Sequence, residues 1–177
     1  RLLCCNHLSY LDIIILASQF DCTFITSVFM RQVPVLGQLC HAAGTINVNR
    51  RSRKTLKKEL LTISQVLKTG ANVLLFPEAT STDGSLVRPF KATFFKSAQT
   101  ASSSIQPLVL NYLSIDNQAV NINNRDALFW YDDMRFLGHF VQILKAQKID
   151  VKLSYGPIIP TNLQCEFELF AHQAESY

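Results

Sequence analysis

The chain has 177 residues, of which 48% are hydrophobic and 17% are charged. That length allows one domain with a sizeable buried core, and the composition excludes an intrinsically disordered chain. The net charge of +4 at pH 7 is concentrated in residues 50–58. Such a basic cluster could contact nucleic acid, anionic lipid or a phosphorylated substrate, or it could be a solvated helix face.

The cysteines and the start of the chain bear on its compartment and its extent. The five cysteines include no C-x-x-C pair and no metal-ligand spacing, which predicts free, buried thiols in a reducing compartment. No stretch reaches the roughly 18 to 20 apolar residues that span a bilayer. Because the sequence starts at Arg1, only a few residues before its first polar motif, we expect a fragment that lacks a membrane-associating N-terminal part.

The first fifty residues alternate predicted strands and helices. Short apolar or β-branched runs indicate strands, and a helical segment that is apolar nearly all round predicts a buried helix. Gly44 is well placed to end the second helix. The predicted elements are a strand over Leu2–Cys5, a buried helix over Tyr10–Ser18, a strand over Thr23–Phe29, a helix over Leu36–Ala43 and a strand over Thr45–Asn49.

A helix followed by another strand indicates the fold class. From Ser52, apolar residues recur at helical spacing until Gly70, and Asn72–Phe76 is a short apolar strand. A strand–helix–strand unit joins parallel strands by a helix that lies on the sheet. We therefore predict an α/β fold: a single domain over residues 1–177, with a mixed, mostly parallel sheet flanked by helices.

The second half of the chain predicts two helical regions and two strands. Pro107 lies inside the first of these strands, which favours an edge or bulge position. The elements are a helix over Lys91–Thr100, a strand over Ile105–Tyr112, a loop over 116–126, a strand over Ile149–Tyr155, and a helical region over Phe129–Gln147 with Trp130, Tyr131, Phe136, Leu137, Phe140 and Leu144 on its apolar side.

The polar residues that bear on function begin with His7 and Asp12, which four residues separate. Positions five apart point roughly 140° apart on a helix. The two side chains can therefore meet only if His7 lies at a strand end or turn and Asp12 in the first turn of the next helix. Ser9 is a suitable N-cap, and Ser9 with Asp12 resembles a capping box. Asp12 could thus simply complement the helix N-terminus, with His7 an ordinary loop histidine.

Two more polar sites follow predicted strands. Arg50 comes at the end of one strand, and Glu78 and Thr80 lie in the loop after another. In open α/β sheets, ligands bind beyond the carboxyl ends of the strands. A ligand site is therefore expected here, although Arg50 could be a structural ion-pair partner and Glu78 could only order its own loop.

In their order and surroundings these residues resemble the glycerolipid acyltransferase family, of the lysophosphatidic acid acyltransferase type. The resemblance extends over most of the chain, and Trp130–Met134 resembles a segment common in bacterial members. The four signature blocks are N-H-x-x-x-x-D at Asn6, His7 and Asp12, G-x-x-F-x-x-R at Gly44 and Arg50, F-P-E-G-T at Phe76, Pro77, Glu78 and Thr80, and a proline in an apolar strand at Pro107.

The resemblance implies an O-acyltransferase that moves a fatty acyl group from an acyl-CoA or acyl-carrier-protein thioester to a lyso-glycerolipid. The implied acceptor is 1-acyl-glycerol-3-phosphate, and the product is phosphatidic acid for phospholipid biosynthesis. It also implies the fold of that family, a membrane surface as partner on the cytoplasmic face of a bacterial inner membrane, no nucleic-acid partner, no metal and no cofactor. The implied site residues are His7 and Asp12 for catalysis, and Arg50, Glu78, Thr80 and Ser81 for substrate binding.

The chemistry of acyl transfer suits these residue types. A histidine can remove the hydroxyl proton as general base, and an aspartate bonded to its other nitrogen fixes the tautomer. Because no G-x-S-x-G motif occurs, we expect direct transfer without an acyl-enzyme. Backbone N–H groups near the first helix or in the 77–80 loop could stabilise the oxyanion.

Three positions depart from the family pattern. Asn47 stands where the family usually has phenylalanine, and Ala79 stands where it has glycine, which would strain the loop by about 1 kcal/mol if that position needs a positive φ. Ser81 replaces an arginine thought to contact the phosphate of the acceptor. A lyso-ornithine lipid O-acyltransferase, a thioester hydrolase and a non-catalytic lipid- or acyl-CoA-binding module therefore remain alternatives.

Overall fold

A central β-sheet organises the chain. The computed structural model describes residues 1–28, 30, 33, 36–42, 44–49 and 53–161. The strands are β1 (Leu2–Cys5), β2 (Cys22–Ser27), β3 (Ile46–Val48), β4 (Asn72–Leu75), β5 (Ile105–Ile115), β6 (Gln118–Ala119) and β7 (Ile149–Tyr155). The helices are α1 (Leu11–Gln19), α2 (Leu36–Ala42), α3 (Arg53–Lys68), α4 (Phe95–Thr100) and α5 (Phe136–Ile143), with 3₁₀ turns at Ala92–Phe94 and Arg125–Ala127.

The sheet is mostly parallel. Its strand order is β3-β2-β4-β1-β5-β6, and β7 also pairs with β5. The pairs β1–β4, β1–β5, β2–β3 and β2–β4 are parallel, whereas β6 and β7 run antiparallel to β5. The predicted α/β class, with a mixed and mostly parallel sheet flanked by helices, is confirmed. In this order β1 lies between β4 and β5. The residues that follow β1 therefore lie in the middle of the sheet, beyond the carboxyl ends of its parallel strands.

Helices cover both faces of the sheet because successive strand residues point to opposite faces. Val73 and Leu75 of β4 pack in one core cluster with Ile63 of α3 and Phe95 of α4. Leu74, between them in sequence, packs in a second cluster that includes Leu16 of α1.

The predicted caps of α2 and α3 are confirmed. Gly44 and Gly70 both have a positive φ, +60° and +88°, which glycine adopts without the penalty of a Cβ. The N–H of Gly44 donates to His41 O at 3.1 Å, and that of Gly70 donates to Leu67 O at 3.1 Å. These caps end the helices and return the chain to β3 and β4.

Helix α1 forms where predicted, but the prediction that it is buried all round is wrong. Asp12 and Leu16 are buried, whereas Ile14 is 54% exposed. The helix lies on the outside of the sheet, so only one of its faces meets the core, even though its outer face is also apolar.

The prediction for Pro107 is also wrong, because β5 is paired on both sides. Pro107 pairs with Cys4 of β1, and the irregularity in the pairing of β5 with β7 lies further along, between Tyr112 and Ser114. The N–H of Gly156 donates to Pro107 O at 2.9 Å, but proline has no N–H for the return bond. The side chain of Gln106 supplies it instead, since its Nε2 donates to Gly156 O at 2.6 Å.

The helical region predicted over Phe129–Gln147 is much shorter in the structure. Only Phe136–Ile143 forms α5, and Leu137 and Leu144 are exposed instead of packed. The Trp130 N–H donates to Leu8 O at 2.9 Å, which ties the segment before α5 to the turn after β1. Tertiary hydrogen bonding therefore overrides the apolar pattern in this segment. The loop predicted over 116–126 also differs from the structure, because it contains β6 and the start of a 3₁₀ turn.

Candidate functional site

The end of β1 is fixed by the side chain of Asn6. Its Nδ2 donates to Leu110 O at 3.0 Å, and its Oδ1 accepts from the N–H of Leu110 at 2.8 Å. This pair of bonds replaces a rung of the sheet just beyond the β1 strand. His7 therefore leaves the sheet from a defined position.

His7 and Asp12 meet as the spacing predicted. His7 follows β1, Asp12 lies in the first turn of α1, and His7 Nδ1 is 2.8 Å from Asp12 Oδ2. The same oxygen accepts the N–H groups of Leu8 at 2.7 Å and Ser9 at 2.9 Å. The four intervening residues thus form a turn whose amides hold the carboxylate, and Asp12 both complements the helix start and binds the imidazole.

The capping box predicted for Ser9 and Asp12 is only half formed. The Asp12 carboxylate accepts the Ser9 N–H, but the Ser9 hydroxyl accepts from the N–H of Leu11 at 3.4 Å and not from that of Asp12. The Asp12 N–H donates to the Ser9 carbonyl instead, at 3.2 Å. Ser9 is therefore a support of the turn more than an N-cap.

Tyr112 completes the environment of Asp12, and the sequence reasoning missed it. Its hydroxyl donates to Asp12 Oδ1 at 2.7 Å, and the Asp12 side chain is 0% exposed. Burial raises the pKa of Tyr112 well above its ordinary value, and the nearby Asp12 carboxylate raises it further. The signal was present, because Tyr112 lies on the same face of β5 as the buried Leu108 and Leu110, and a buried tyrosine hydroxyl usually needs a partner.

Phe76 covers one face of the imidazole. The ring centroids of His7 and Phe76 are 4.0 Å apart and the planes meet at 16°, a stacked arrangement. The His7 side chain remains 18% exposed. Since Nδ1 is bonded to Asp12, Nε2 is the ring nitrogen that is available to a ligand.

His7 lines a cavity of about 140 Å³, which we call the His7 cavity. A cavity of that volume can hold a few water molecules or a reacting group. The residues around it are mostly apolar or hydroxyl-bearing, with Thr80 and Ser81 among them. Other lining residues are Tyr10, Ile13, Phe24, Ile25, Thr26, Ser27, Met30, Cys40, Thr45, Phe76, Ala79 and Trp130.

Aromatic residues support one wall of this cavity. Tyr10 packs edge-on against Trp130 and Phe136, with centroid separations of 5.9 and 5.0 Å. The Tyr10 hydroxyl is 3.0 Å from His139 Nδ1. Burial raises the pKa of Tyr10 to about 12 and lowers that of His139. This wall joins α5 to the turn that precedes α1.

Glu78 holds backbone and does not line the His7 cavity. Its Oε1 accepts the His7 N–H at 2.8 Å, and its Oε2 accepts the Arg88 N–H at 2.9 Å. Burial raises the pKa of Glu78, while the same two backbone N–H groups oppose that rise. These contacts match the alternative in which Glu78 orders its loop, and its binding of an acceptor stays a prediction.

The loop after β4 turns sharply at Ala79. The Ala79 N–H donates to Phe76 O at 3.1 Å, and its φ is +67°. A positive φ costs an alanine roughly 1–2 kcal/mol. The strain foreseen for alanine at this position is therefore present in the backbone geometry.

The other predicted site residues fall in different places. Thr80 is exposed and Ser81 is buried, and both line the His7 cavity. Arg50 lies outside the described residues. Four of the six predicted residues, His7, Asp12, Thr80 and Ser81, thus come together around the cavity or its base.

Comparisons with known proteins bear on the family. The sequence profile of the family named Acyltransferase matches residues 1–111. The 1-acyl-sn-glycerol-3-phosphate acyltransferase of Neisseria meningitidis serogroup B is 35% identical over 154 residues, which cover 87% of this chain and 58% of that protein. The lyso-ornithine lipid O-acyltransferase of Rhizobium meliloti is 27% identical over 165 residues, or 89% of this chain and 56% of that protein.

A solved structure shares the fold. The crystal structure of the 1-acyl-sn-glycerophosphate acyltransferase PlsC from Thermotoga maritima matches with a TM-score of 0.63 at 18% identity, covering 98% of this chain and 62% of that one. The chain thus spans somewhat more than half the length of the proteins that it matches. The profile match covers more than half of the chain and includes His7, Asp12 and Glu78, so the chain belongs to the acyltransferase family.

Proposed function

We propose that this chain carries the active site of an O-acyltransferase that transfers a fatty acyl group from a thioester to the free hydroxyl of a lyso-glycerolipid. The observation that carries the proposal is the His7–Asp12 pair, 2.8 Å apart, beside a cavity with an apolar and hydroxyl-rich lining. The thioester is an acyl-CoA or an acyl-carrier protein, and no cofactor is needed. The names of the relatives agree with this reaction class.

In the proposed mechanism, His7 Nε2 accepts the proton of the acceptor hydroxyl as its oxygen attacks the thioester carbonyl. Asp12, bonded to Nδ1, orients the ring and stabilises the imidazolium that forms. When the tetrahedral intermediate collapses, the carbon–sulfur bond breaks and the imidazolium returns its proton to the leaving thiolate. The Asp12 carboxylate suits the supporting role because three further donors hold it in place.

The acceptor we propose first is 1-acyl-glycerol-3-phosphate, which would give phosphatidic acid. We assign acceptor binding to Thr80 and Ser81, which line the cavity. We also assign it to Glu78, which precedes them in the same loop, and to Arg50, which follows β3 in the sequence. Ser81 in place of an arginine favours a second candidate, a lyso-ornithine lipid, because a hydroxyl is a weaker phosphate ligand than a guanidinium. Activity measured against both lyso-lipids distinguishes these two acceptors.

We further propose that the protein works at a membrane surface on its cytoplasmic side. Leu137 and Leu144 are 66% and 67% exposed, and with Val141 they follow helical spacing along α5 and its C-cap residue. Such a stripe suits an apolar interface. Within the described ranges, no helix is long and apolar enough to span a bilayer. Vesicle flotation of the wild-type chain and of Leu137→Ser measures this attachment, and equal flotation of both would contradict a role for the stripe.

The substitution His7→Ala tests the catalytic proposal. Loss of a general base lowers turnover by about 10²–10⁴-fold, while the fold should survive because His7 is partly exposed at the sheet edge. A radiolabelled acyl donor and a panel of lyso-lipids give the rate, and circular dichroism checks the fold. His41→Ala, an exposed histidine on α2, is the matched control.

The outcome also separates the rival functions. A folded His7→Ala variant that keeps half of the wild-type rate would refute the mechanism. Release of free fatty acid without formation of diacylated lipid would indicate a thioester hydrolase. Binding of acyl-CoA without turnover of any lyso-lipid would indicate a non-catalytic binding module.

A further inference from the structure

Three hollows adjoin one another, and they extend from the His7 cavity to the outer surface of α3. The middle hollow lies beside the turn after β4 and shares Phe76 and Ala79 with the His7 cavity. The outer groove lies between α3 and α4 and shares Leu56 with the middle hollow. The three hollows are therefore neighbours, in the order His7 cavity, middle hollow and outer groove.

The outer groove combines an apolar floor with ammonium groups. Leu56, Leu60 and Leu61 line it together with Lys57 of α3 and Lys96 of α4. Its volume is about 360 Å³, which falls in the range of roughly 300–1,000 Å³ for small-molecule sites. The groove can thus hold a flat, apolar-faced group and hold anionic groups at its edge.

The charged side chains that line the middle hollow and the outer groove are all lysines. Lys91 is exposed and lines the middle hollow, and the described residues that line the two hollows include no aspartate or glutamate. Lys57 and Lys58 follow Lys54 by three and four residues, and all three lysines are exposed on α3. Among the described residues, no carboxylate forms an ion pair with these three lysines. The middle hollow and the outer groove are therefore suited to an anion.

We propose that the outer groove binds the phosphorylated adenosine end of a coenzyme A thioester. The adenine ring would lie on Leu60 and Leu61, the phosphate groups would contact Lys57 and Lys96, and the pantetheine arm would follow the middle hollow to His7. This assignment rests on the proposed acyl transfer, since it names the carrier of the acyl donor. An apolar floor with lysines beside it fits a nucleotide, which presents a flat ring and phosphate groups together.

The substitution Lys57→Ala tests this site, with Lys68→Ala as its matched control. Lys68 is exposed in the last turn of the same helix and does not line the groove. Two quantities are measured on the full chain: the dissociation constant of adenosine 3′,5′-bisphosphate by calorimetry, and KM and kcat with acyl-CoA and with acyl-carrier protein as donors. Circular dichroism confirms that both variants keep the wild-type helix content.

We expect Lys57→Ala to raise the dissociation constant of the bisphosphate and KM for acyl-CoA by about five- to tenfold, the scale for a partly exposed charge-assisted contact. KM should change more than kcat, because the nucleotide does not take part in bond making. KM for acyl-carrier protein should change little, and Lys68→Ala should match the wild type in every measurement.

Other outcomes overturn the assignment. Failure of the wild-type chain to bind the bisphosphate, or equal binding by both variants, excludes a nucleotide in the groove even if acyl transfer is observed. An effect of Lys57→Ala on the carrier-protein donor alone assigns the groove to an acidic protein. Loss of bisphosphate binding in Lys57→Ala with no acyl transfer from either donor supports the groove and refutes the proposed function instead.

Discussion

The Tyr112 hydroxyl is the donor to Asp12 Oδ1, and the substitution Tyr112→Phe removes that donor while keeping the ring. The other donors to Asp12, which are His7 Nδ1 and the N–H groups of Leu8 and Ser9, all reach Oδ2. Among the described residues, Oδ1 therefore loses its hydrogen bond. The remaining ring can still pack edge-on against Phe129, with the centroids 5.5 Å apart.

The size of the effect follows from the burial of Asp12. A hydrogen bond to a charged group contributes about 1.5–3 kcal/mol, and the Asp12 side chain has no exposed surface from which water could replace it. A loss of about 2 kcal/mol lowers the melting temperature of a domain of this size by about 4–8 °C. If Asp12 orients His7, a carboxylate that shifts toward its remaining donors also displaces the imidazole, which lowers kcat by up to about 100-fold.

Thermal unfolding and acyl transfer, each measured on Tyr112→Phe, separate these two effects. The transfer assay is run well below the unfolding transition so that only folded protein contributes. Tyr155→Phe is the control, because Tyr155 is largely exposed and its loss of a hydroxyl should change neither quantity. A Tyr112→Phe variant with the wild-type melting temperature and kcat would refute the role given to Tyr112. A lower melting temperature with unchanged kcat would leave it a purely structural residue.

Two further substitutions test local features of the site. Ala79→Gly relieves a positive-φ alanine worth about 1–2 kcal/mol, less about 0.4–1 kcal/mol for the freer unfolded chain. Its melting temperature should therefore rise by about 2 °C, whereas Ala101→Gly, at a φ of −90°, should lower it. Burial lowers the pKa of His139 from its ordinary 6.5, so around and below pH 6.5 the unfolded chain binds more protons than the folded chain. Wild-type stability therefore decreases as the pH is lowered through that range. His139→Phe should flatten that slope in denaturant titrations while His41→Gln keeps it, and an unchanged slope in His139→Phe would contradict this reason.

The parallel sheet could be predicted because it depends on local patterns, and the spacing of His7 and Asp12 limited how the two side chains could meet. Strands and helices of the βαβ unit are marked by periodicity and by the glycine caps at Gly44 and Gly70. The five-residue separation of His7 and Asp12 leaves few geometries in which they touch, and the structure has one of these. The sheet was predicted from the strand–helix–strand pattern, whereas the contact between His7 and Asp12 was expected from the family resemblance and was only permitted by the spacing.

The features that could not be predicted depend on contacts between distant segments. Tyr112 reaches Asp12 from a strand a hundred positions further along the chain, and its residue type alone does not name that partner. The Trp130 segment has a helical apolar pattern, yet its N–H donates to Leu8 O. Pro107 indicated a sheet edge, but the Gln106 side chain supplies the missing donor to Gly156. In each case a tertiary hydrogen bond outweighs a local preference.

Three side chains of the signature blocks, Asn6, Asp12 and Glu78, have the same structural role. Each accepts backbone N–H groups just beyond the end of a strand, where the sheet no longer provides partners: Asn6 from β5, Asp12 from the turn after β1, and Glu78 from both His7 and Arg88. Polar groups that are buried without partners are costly, so these side chains stabilise a tight turn at the carboxyl end of the central strand β1. His7 differs from these three side chains, because its hydrogen bond to Asp12 uses Nδ1 and leaves Nε2 for a ligand. The four-residue spacing therefore reflects the length of the turn that brings two amides and one imidazole onto the same carboxylate, and the chemistry is left to the remaining nitrogen.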